Sequence, residues 1–429
     1  MSTNENTDSD FWLRLDNAAK IYPAIISREL TSVLRISVEL TERIKARQFS
    51  DAITAIQNRF PYYKVKLKAG FFWYFLDYEN LPLQVKADSD IPCRAFGKDE
   101  IMFRVLVKGN RLSVEFSHVL TDGTGAFEFL KTLLLCYFEK CGFEIPADVD
   151  VLKATGNVAE EEYEDAFNKH FTRITAPGIK VPAAFQLPFA LKPKPRFSIL
   201  LGILPIREIV EKAKEHEVSI TEYLIAVYLY ALQEVFDKLS EKAKKLNRKK
   251  ARIEVPVNLR KIFPSHTMRN FSLYVMPEID FRLGKYSFGE LVKVVYHQMR
   301  METDKKLINK IISKNVGSER TLVIKSIPLV LKSLLLSKVY QHGVRKYSGV
   351  LTNMGKIDLS PELNKHIKRF IFIPPPPNRD LKVNCGMVGF NNQLVLSFGN
   401  ITKSRELERT FFTFLVQQGI PVKIEILKT

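Results

Sequence analysis

The spacing of apolar positions changes along the chain, and each change marks an element. In residues 50–60 they recur at helical spacing (Ile53, Ile56, Phe60), and Pro61 ends the run. Residues 70–76, Gly-Phe-Phe-Trp-Tyr-Phe-Leu, are short and aromatic, the pattern of a buried strand. Residues 101–107 and 111–116 flank Lys108-Gly109-Asn110 and predict an antiparallel hairpin. The second arm runs into Ser117-His118-Val119-Leu120-Thr121-Asp122-Gly123, and Phe127, Leu130, Leu134 and Phe138 then set the core face of a helix. His118 is therefore expected where a strand stops, beside a tight turn into a helix.

Residues 179–195, IKVPAAFQLPFALKPKP, are proline-rich and aperiodic, and they read as a crossover between two halves. The predicted division is 1–178, a linker at 179–195, and 196–429. The second half opens on a strand at 197–204, with Pro205 at the start of a helix. Ser219-Ile-Thr-Glu222 and Ser287-Phe-Gly-Glu290 are capping boxes, before apolar helices through Phe236 and Met299. A basic stretch, 238–252, is expected to be solvated and to lead into a strand at 252–260. Residues 321–340, TLVIKSIPLVLKSLLLSKVY, are apolar with lysines interspersed. They suit either a core or pocket-wall helix with lysines at its rim, or an amphipathic surface touching anionic lipid. Strands at 347–351, 369–373, 383–390 and 394–398, a helix at 405–417 and a strand at 422–427 complete an α/β pattern.

Composition narrows the class. With 46% hydrophobic and 26% charged residues in 429, the chain buries a sizeable core and is neither disordered nor low-complexity. A net charge of +18 favours polyanionic partners, among them nucleic acid, anionic lipid and the phosphates of coenzyme A. The run Lys244-Lys245-Leu-Asn-Arg248-Lys249-Lys250 reads as a solvated helix end rather than a nucleic-acid surface, since no zinc-finger spacing, RNP pattern or glycine-rich phosphate loop accompanies it. Cys93, Cys136, Cys141 and Cys385 fit neither a disulfide framework nor a CxxC pair, so buried thiols and no metal site are expected. The acidic N-terminus lacks a signal-peptide pattern and no uncharged apolar run reaches membrane-spanning length, so a cytoplasmic protein is expected.

Of seven histidines, only His118 has Asp at +4 and Gly at +5. A neutral imidazole at a strand end suits removal of a proton from a hydroxyl or amine. Asp122 could point at the imidazole or away from it to pin the turn, and a buried carboxylate there needs a partner such as an arginine.

The segment 117–123 resembles the HHxxxDG motif of the condensation-domain and CoA-dependent acyltransferase superfamily, which takes in chloramphenicol acetyltransferase, alcohol acetyltransferases, plant HxxxD acyltransferases and polyketide-associated acyltransferases. Val257-Asn258-Leu259-Arg260 resembles its vNxR strand, and Leu351-Thr352-Asn353-Met354-Gly355 its SNxG turn. The order of these matches covers nearly the whole chain. Ser117 stands where the motif has its first histidine, which weakens a peptide-bond-forming condensation domain. Leu396-Ser-Phe-Gly-Asn400 keeps only the Phe-Gly pair of the plant DFGWG motif. The alcohol-acetyltransferase-like and polyketide-associated types therefore look nearest.

The resemblance implies two chloramphenicol-acetyltransferase-like α/β halves with a substrate tunnel between them, and a monomer. It implies His118 as catalytic base, Asp122 salt-bridged to Arg260, and Gly123 permitting the turn beside the tunnel. Asn353 would line the site or fix the junction, whereas Asn258 reads as a strand-end residue. The implied reaction is acyl transfer from acyl-CoA, with no bound cofactor, to an alcohol or amine. The alternatives are a carrier-protein-dependent condensation-like domain, or a non-catalytic relative that binds a carrier or lipid.

Overall fold

A computed structural model describes residues 11–89, 91–97, 100–174 and 181–427. Two main sheets carry the described chain. The first has five strands in the order Ile367–Ile373, Val33–Leu40, Arg111–Ser117, Phe103–Lys108, Val85–Ala87. The second runs Ser272–Val275, Lys250–Asn258, Gly349–Ile357, Val383–Phe390, Gln393–Asn400, Ser198–Pro205, Lys423–Leu427, with Glu278–Asp280 also paired to Lys250–Asn258. A three-stranded sheet (Trp12–Arg14, Tyr74–Tyr78, Val65–Ala69) lies apart from these.

The predicted hairpin forms as Phe103–Lys108 and Arg111–Ser117, in register Lys108 with Arg111, around Gly109 at φ +64°. Its second arm alternates strictly. Leu112, Val114 and Phe116 belong to the first core, while Ser113 and Glu115 point to the opposite face. There the buried Glu115 is charge-balanced by Arg35 (3.3 Å) and Arg104 (3.6 Å). The following helix, Gly123–Lys140, packs on this sheet through Leu130, Leu134 and Phe138, with Phe127 only half-buried. It stops because Gly142 takes φ +90° and lets Phe143 N–H reach back to the Phe138 carbonyl (3.0 Å).

The helix Ile220–Asp237 is buried among Phe288–Glu302, Glu406–Gln417 and the second sheet. Both capping boxes form: Ser219 and Glu222 bond reciprocally (3.2 and 2.8 Å), as do Ser287 and Glu290. Chain order and space part company at one strand. Ile367–Ile373 leaves the second half to pair antiparallel with Val33–Leu40 (Phe370 opposite Val38), so the later chain closes the first sheet. Pro374–Pro377 then lead back to Val383–Phe390. The proline-rich stretch from 181 lacks regular structure yet packs into the second core through Phe185 and Leu187.

Several expectations need correction. Residues 70–73 are the tip of a hairpin, not a buried strand. Ala69 pairs with Tyr74, so the chain must reverse between them, and Phe71 and Phe72 end up 73% and 43% exposed. The segment 321–340 forms the helices Leu322–Ser326 and Leu329–Val344; it is not a core helix, since most of its apolar side chains face outward, but the end of the second helix lines a cavity wall through Val339 and Tyr340. It is anchored by the buried Lys332, which donates to the Phe72 carbonyl (2.9 Å) and lies 3.7 Å over the Trp73 ring. The basic stretch is not uniformly solvated: Glu241–Leu246 is helical, and Lys250 begins a strand and pairs with Glu278. Cys93, Cys136 and Cys385 are buried thiols, but Cys141, at the helix end, is half-exposed.

Candidate functional site

The motif histidine sits one residue beyond its strand. Its backbone is fixed from both sides: the His118 N–H donates to the Ser32 carbonyl (2.9 Å), and the Asn270 amide donates to the His118 carbonyl (3.0 Å). The imidazole stacks on Tyr22, with centroids 5.2 Å apart and planes at 16°. Nδ1 has no hydrogen-bond partner among the described residues. Burial lowers the imidazole pKa below its ordinary 6.5, against opposing contributions from Asp122, Asn270 and the Thr121 backbone. The ring is thus held neutral, and it opens onto a cavity.

Asp122 turns away from the ring. One carboxylate oxygen caps the helix, accepting from Thr124 N–H (3.1 Å) and Gly125 N–H (3.3 Å). The other accepts from Arg260 Nη1 (2.8 Å) and Phe271 N–H (2.9 Å). Arg260 is held in turn by the Thr267 carbonyl (2.9 Å) and by Asn258 Oδ1, while Asn258 Nδ2 donates to Thr124 Oγ1 (3.3 Å). Asn258 is therefore a bridge between the halves rather than a bare strand end. A Cβ on Gly123 would meet Met354 Sδ at 2.7 Å. Asn353 lies at a strand irregularity, where its side chain donates to Thr221 Oγ1 (2.9 Å) and accepts from Gly355 N–H (2.7 Å).

His118, Asp122 and Gly123 share the walls of a cavity of about 520 Å³ with Asn353, Asn258 and Glu254 from the second half. Arg260 supports this wall from behind through Asp122. Among the described residues no group of three His, Cys, Asp or Glu side chains is arranged to hold a metal ion, and no helix is long and apolar enough to cross a membrane.

Sequence reasoning missed the loop 267–271. Its Met268 carbonyl accepts from Tyr63 Oη (2.8 Å) and Thr121 Oγ1, Asn270 holds the His118 carbonyl, and Phe271 N–H holds Asp122. Gly125 belongs with it, since a Cβ there would lie 2.2 Å from the Met268 carbonyl oxygen. The only sequence signal was a polar, aperiodic stretch after Arg260. Tyr22, Glu254 and the four prolines at 374–377 also line the cavity unforeseen.

No family sequence model matches the chain, and no curated protein matches it in sequence. Solved structures do match it in shape. TRI101 of F. sporotrichioides, complexed with coenzyme A and T-2, superposes with a TM-score of 0.62 over 97% of this chain and 100% of that one, at 11% identity. The chain shares the fold of this structure. The same fold recurs in the TRI3 trichothecene 15-O-acetyltransferase from Fusarium sporotrichioides (TM-score 0.59, 12% identity, 95% of this chain and 94% of that one). It recurs again in the condensation domain of the monacolin K polyketide synthase MokA (0.57, 12%, 96% and 97%). In this fold the turn that carries His118 and Asp122 meets the sequence-distant Arg260 at the junction of the two sheets, through the Asp122–Arg260 pair.

Proposed function

We propose that the protein is an acyltransferase that moves an acyl group from acyl-CoA to the hydroxyl, or the amine, of a small acceptor. One observation carries this reading: a neutral, buried imidazole opens into a cavity built from both halves of the chain. The basic surplus suits a donor that brings several phosphates. Donor and acceptor reach His118 from opposite ends of the cavity, and the protein acts as a monomer because both halves of the site lie in one chain.

In the proposed step His118 takes the acceptor proton as the acceptor oxygen attacks the thioester carbonyl. The tetrahedral intermediate collapses with cleavage of the C–S bond, and the imidazolium returns its proton to the departing CoA thiolate. An acyl-enzyme has no support. None of the four cysteines lines the cavity, Cys141 included, and burial raises the thiols of Cys93, Cys136 and Cys385. Initial rates with both substrates varied should therefore give intersecting lines, with no acceptor-independent burst of thiol. Parallel lines with such a burst would refute the ternary complex.

The lowered imidazole pKa fixes the sign of the pH dependence. Protonated His118 is inactive as a base, so kcat/KM for an uncharged acceptor should rise with pH along an acid limb centred below 6.5 and be flat through neutrality. An acid limb centred above 6.5 would contradict the burial argument.

A carrier-protein-bound donor is the second reading, favoured by the likeness to a condensation domain. The third is a non-catalytic carrier- or lipid-binding relative. We also propose peripheral contact with an anionic membrane. Phe71, Val330, Leu331, Leu334 and Leu335 form an exposed apolar face, and Val339 continues it to the cavity wall. The exposed Lys325 and Lys338 have no carboxylate partner among the described residues, which suits anionic headgroups. The wild type should sediment with phosphatidylglycerol-containing vesicles in a salt-sensitive way and ignore pure phosphatidylcholine. A Leu331→Asp/Leu335→Asp variant should lose this binding. Equal retention of wild type and variant would remove the membrane from the account.

A further inference from the structure

Glu254 is a half-buried carboxyl on the cavity wall that the proposed reaction does not use. It lies on Lys250–Asn258, where strand alternation puts Glu254, Pro256 and Asn258 on the cavity side. The buried carboxylates Asp122 and Glu162 are paired, with Arg260 and Arg59. Glu254 forms no ion pair among the described residues, and the hydroxyl of Tyr347 is its hydrogen-bond partner. The carboxyl is pushed by burial up to about 7.

Its surroundings are aromatic. Tyr22, Tyr274, Tyr340 and Tyr347 line the same cavity, and all four phenols feel the charge of Glu254. Burial first and Glu254 second raise Tyr274 and Tyr340 to about 12. A carboxylate that shares a cavity wall with several aromatic rings matches the chemistry that seats an organic cation. It is the wrong chemistry for the phosphates of a CoA donor, which a carboxylate repels.

We propose that Glu254, Tyr274, Tyr340 and Tyr347 form a cation subsite that takes an ammonium group carried by the acceptor, while the acceptor's hydroxyl faces His118. The assignment of this cation to the acceptor rests on the acyltransferase reading; the binding of a cation does not. Glu254 is four residues from Asn258, which touches the motif helix, so the subsite lies roughly 13 Å along the strand from that contact. The other titratable groups on the wall are His118, Asp122 and Lys346. Asp122 is paired with Arg260, the imidazole is neutral, and Lys346 makes no ion pair with Glu254 among the described residues.

The test uses the full chain and Glu254→Gln, which keeps the size of the side chain and a partner for Tyr347, with melting temperature as the folding control. Calorimetry with tetramethylammonium at about pH 8, where Glu254 is ionised, should show saturable binding, weakened about ten-fold or more in the variant and also at about pH 6. A series of ω-hydroxyalkyl trimethylammonium acceptors, each set against its neutral tert-butyl isostere, should show a charge preference in kcat/KM that the variant loses. Absence of tetramethylammonium binding by the wild type at about pH 8, or equal binding by Glu254→Gln, overturns the subsite. Cation binding lost in the variant, with no thiol released from any acyl-CoA, would leave the subsite standing and reject the acyltransferase reading instead.

Discussion

His118→Ala is expected to lower kcat/KM for acyl transfer by about 10²- to 10⁴-fold, the range that a positioned general base contributes, while the protein stays folded. The two halves of this expectation have separate causes. In the proposed reaction the ring alone carries the chemistry: burial lowers its pKa, it faces the cavity and its Nδ1 is unpartnered among the described residues. The fold, in contrast, uses the backbone of this residue, through the Ser32 carbonyl and the Asn270 amide, and alanine keeps both bonds. What alanine removes structurally is the stack on Tyr22 at the cavity wall. Steady-state kinetics beside a thermal melt checks both halves, and a variant that retains more than about a tenth of wild-type kcat/KM would exclude His118 as the base.

Arg260→Ala has the opposite signature, a loss of stability that carries activity down with it. The guanidinium and the Asp122 carboxylate keep only 10% and 7% of their side-chain surface exposed. Removing one member leaves the other charged, buried and unpaired, which costs about 3–5 kcal/mol. The loss also spreads. Arg260 holds the Thr267 carbonyl, and the same loop supplies Asn270 to His118 and Phe271 to Asp122. Asp122→Asn keeps an oxygen for the helix cap but loses the charge, so a smaller fall is expected from it. Urea denaturation measures both, and an unchanged midpoint for Arg260→Ala would show that the pair does not hold the two halves together.

Features set by local spacing were legible in the residues. Gly109 announced the motif hairpin, Ser219 with Glu222 and Ser287 with Glu290 announced two helix starts, and the His118–Asp122–Gly123 spacing pointed to the place where the site forms. Features set by tertiary contact were not. Residues 70–73 carry the composition of a strand, yet the reversal between Ala69 and Tyr74 exposes Phe71. The strand 367–373 gives no sign of which sheet it joins, because its partner Val33–Leu40 lies more than three hundred residues earlier. Glu254 looks like one of several polar residues in its strand, with Lys250, Arg252 and Asn258, and only its place beside four tyrosines on the cavity wall makes it unusual. Arg260 stood out through its motif, but the loop 267–271 that shares its work has no periodicity to betray it.

The most direct test of the account is acceptor-dependent thiol release from a panel of acyl-CoAs, short to long, with mixed alcohols and amines, for wild type beside His118→Ala. The account predicts release that requires both an acyl-CoA and an acceptor and that falls away in the variant. Wild-type protein that releases thiol from no acyl-CoA, yet binds an acylated carrier protein tightly, would contradict it.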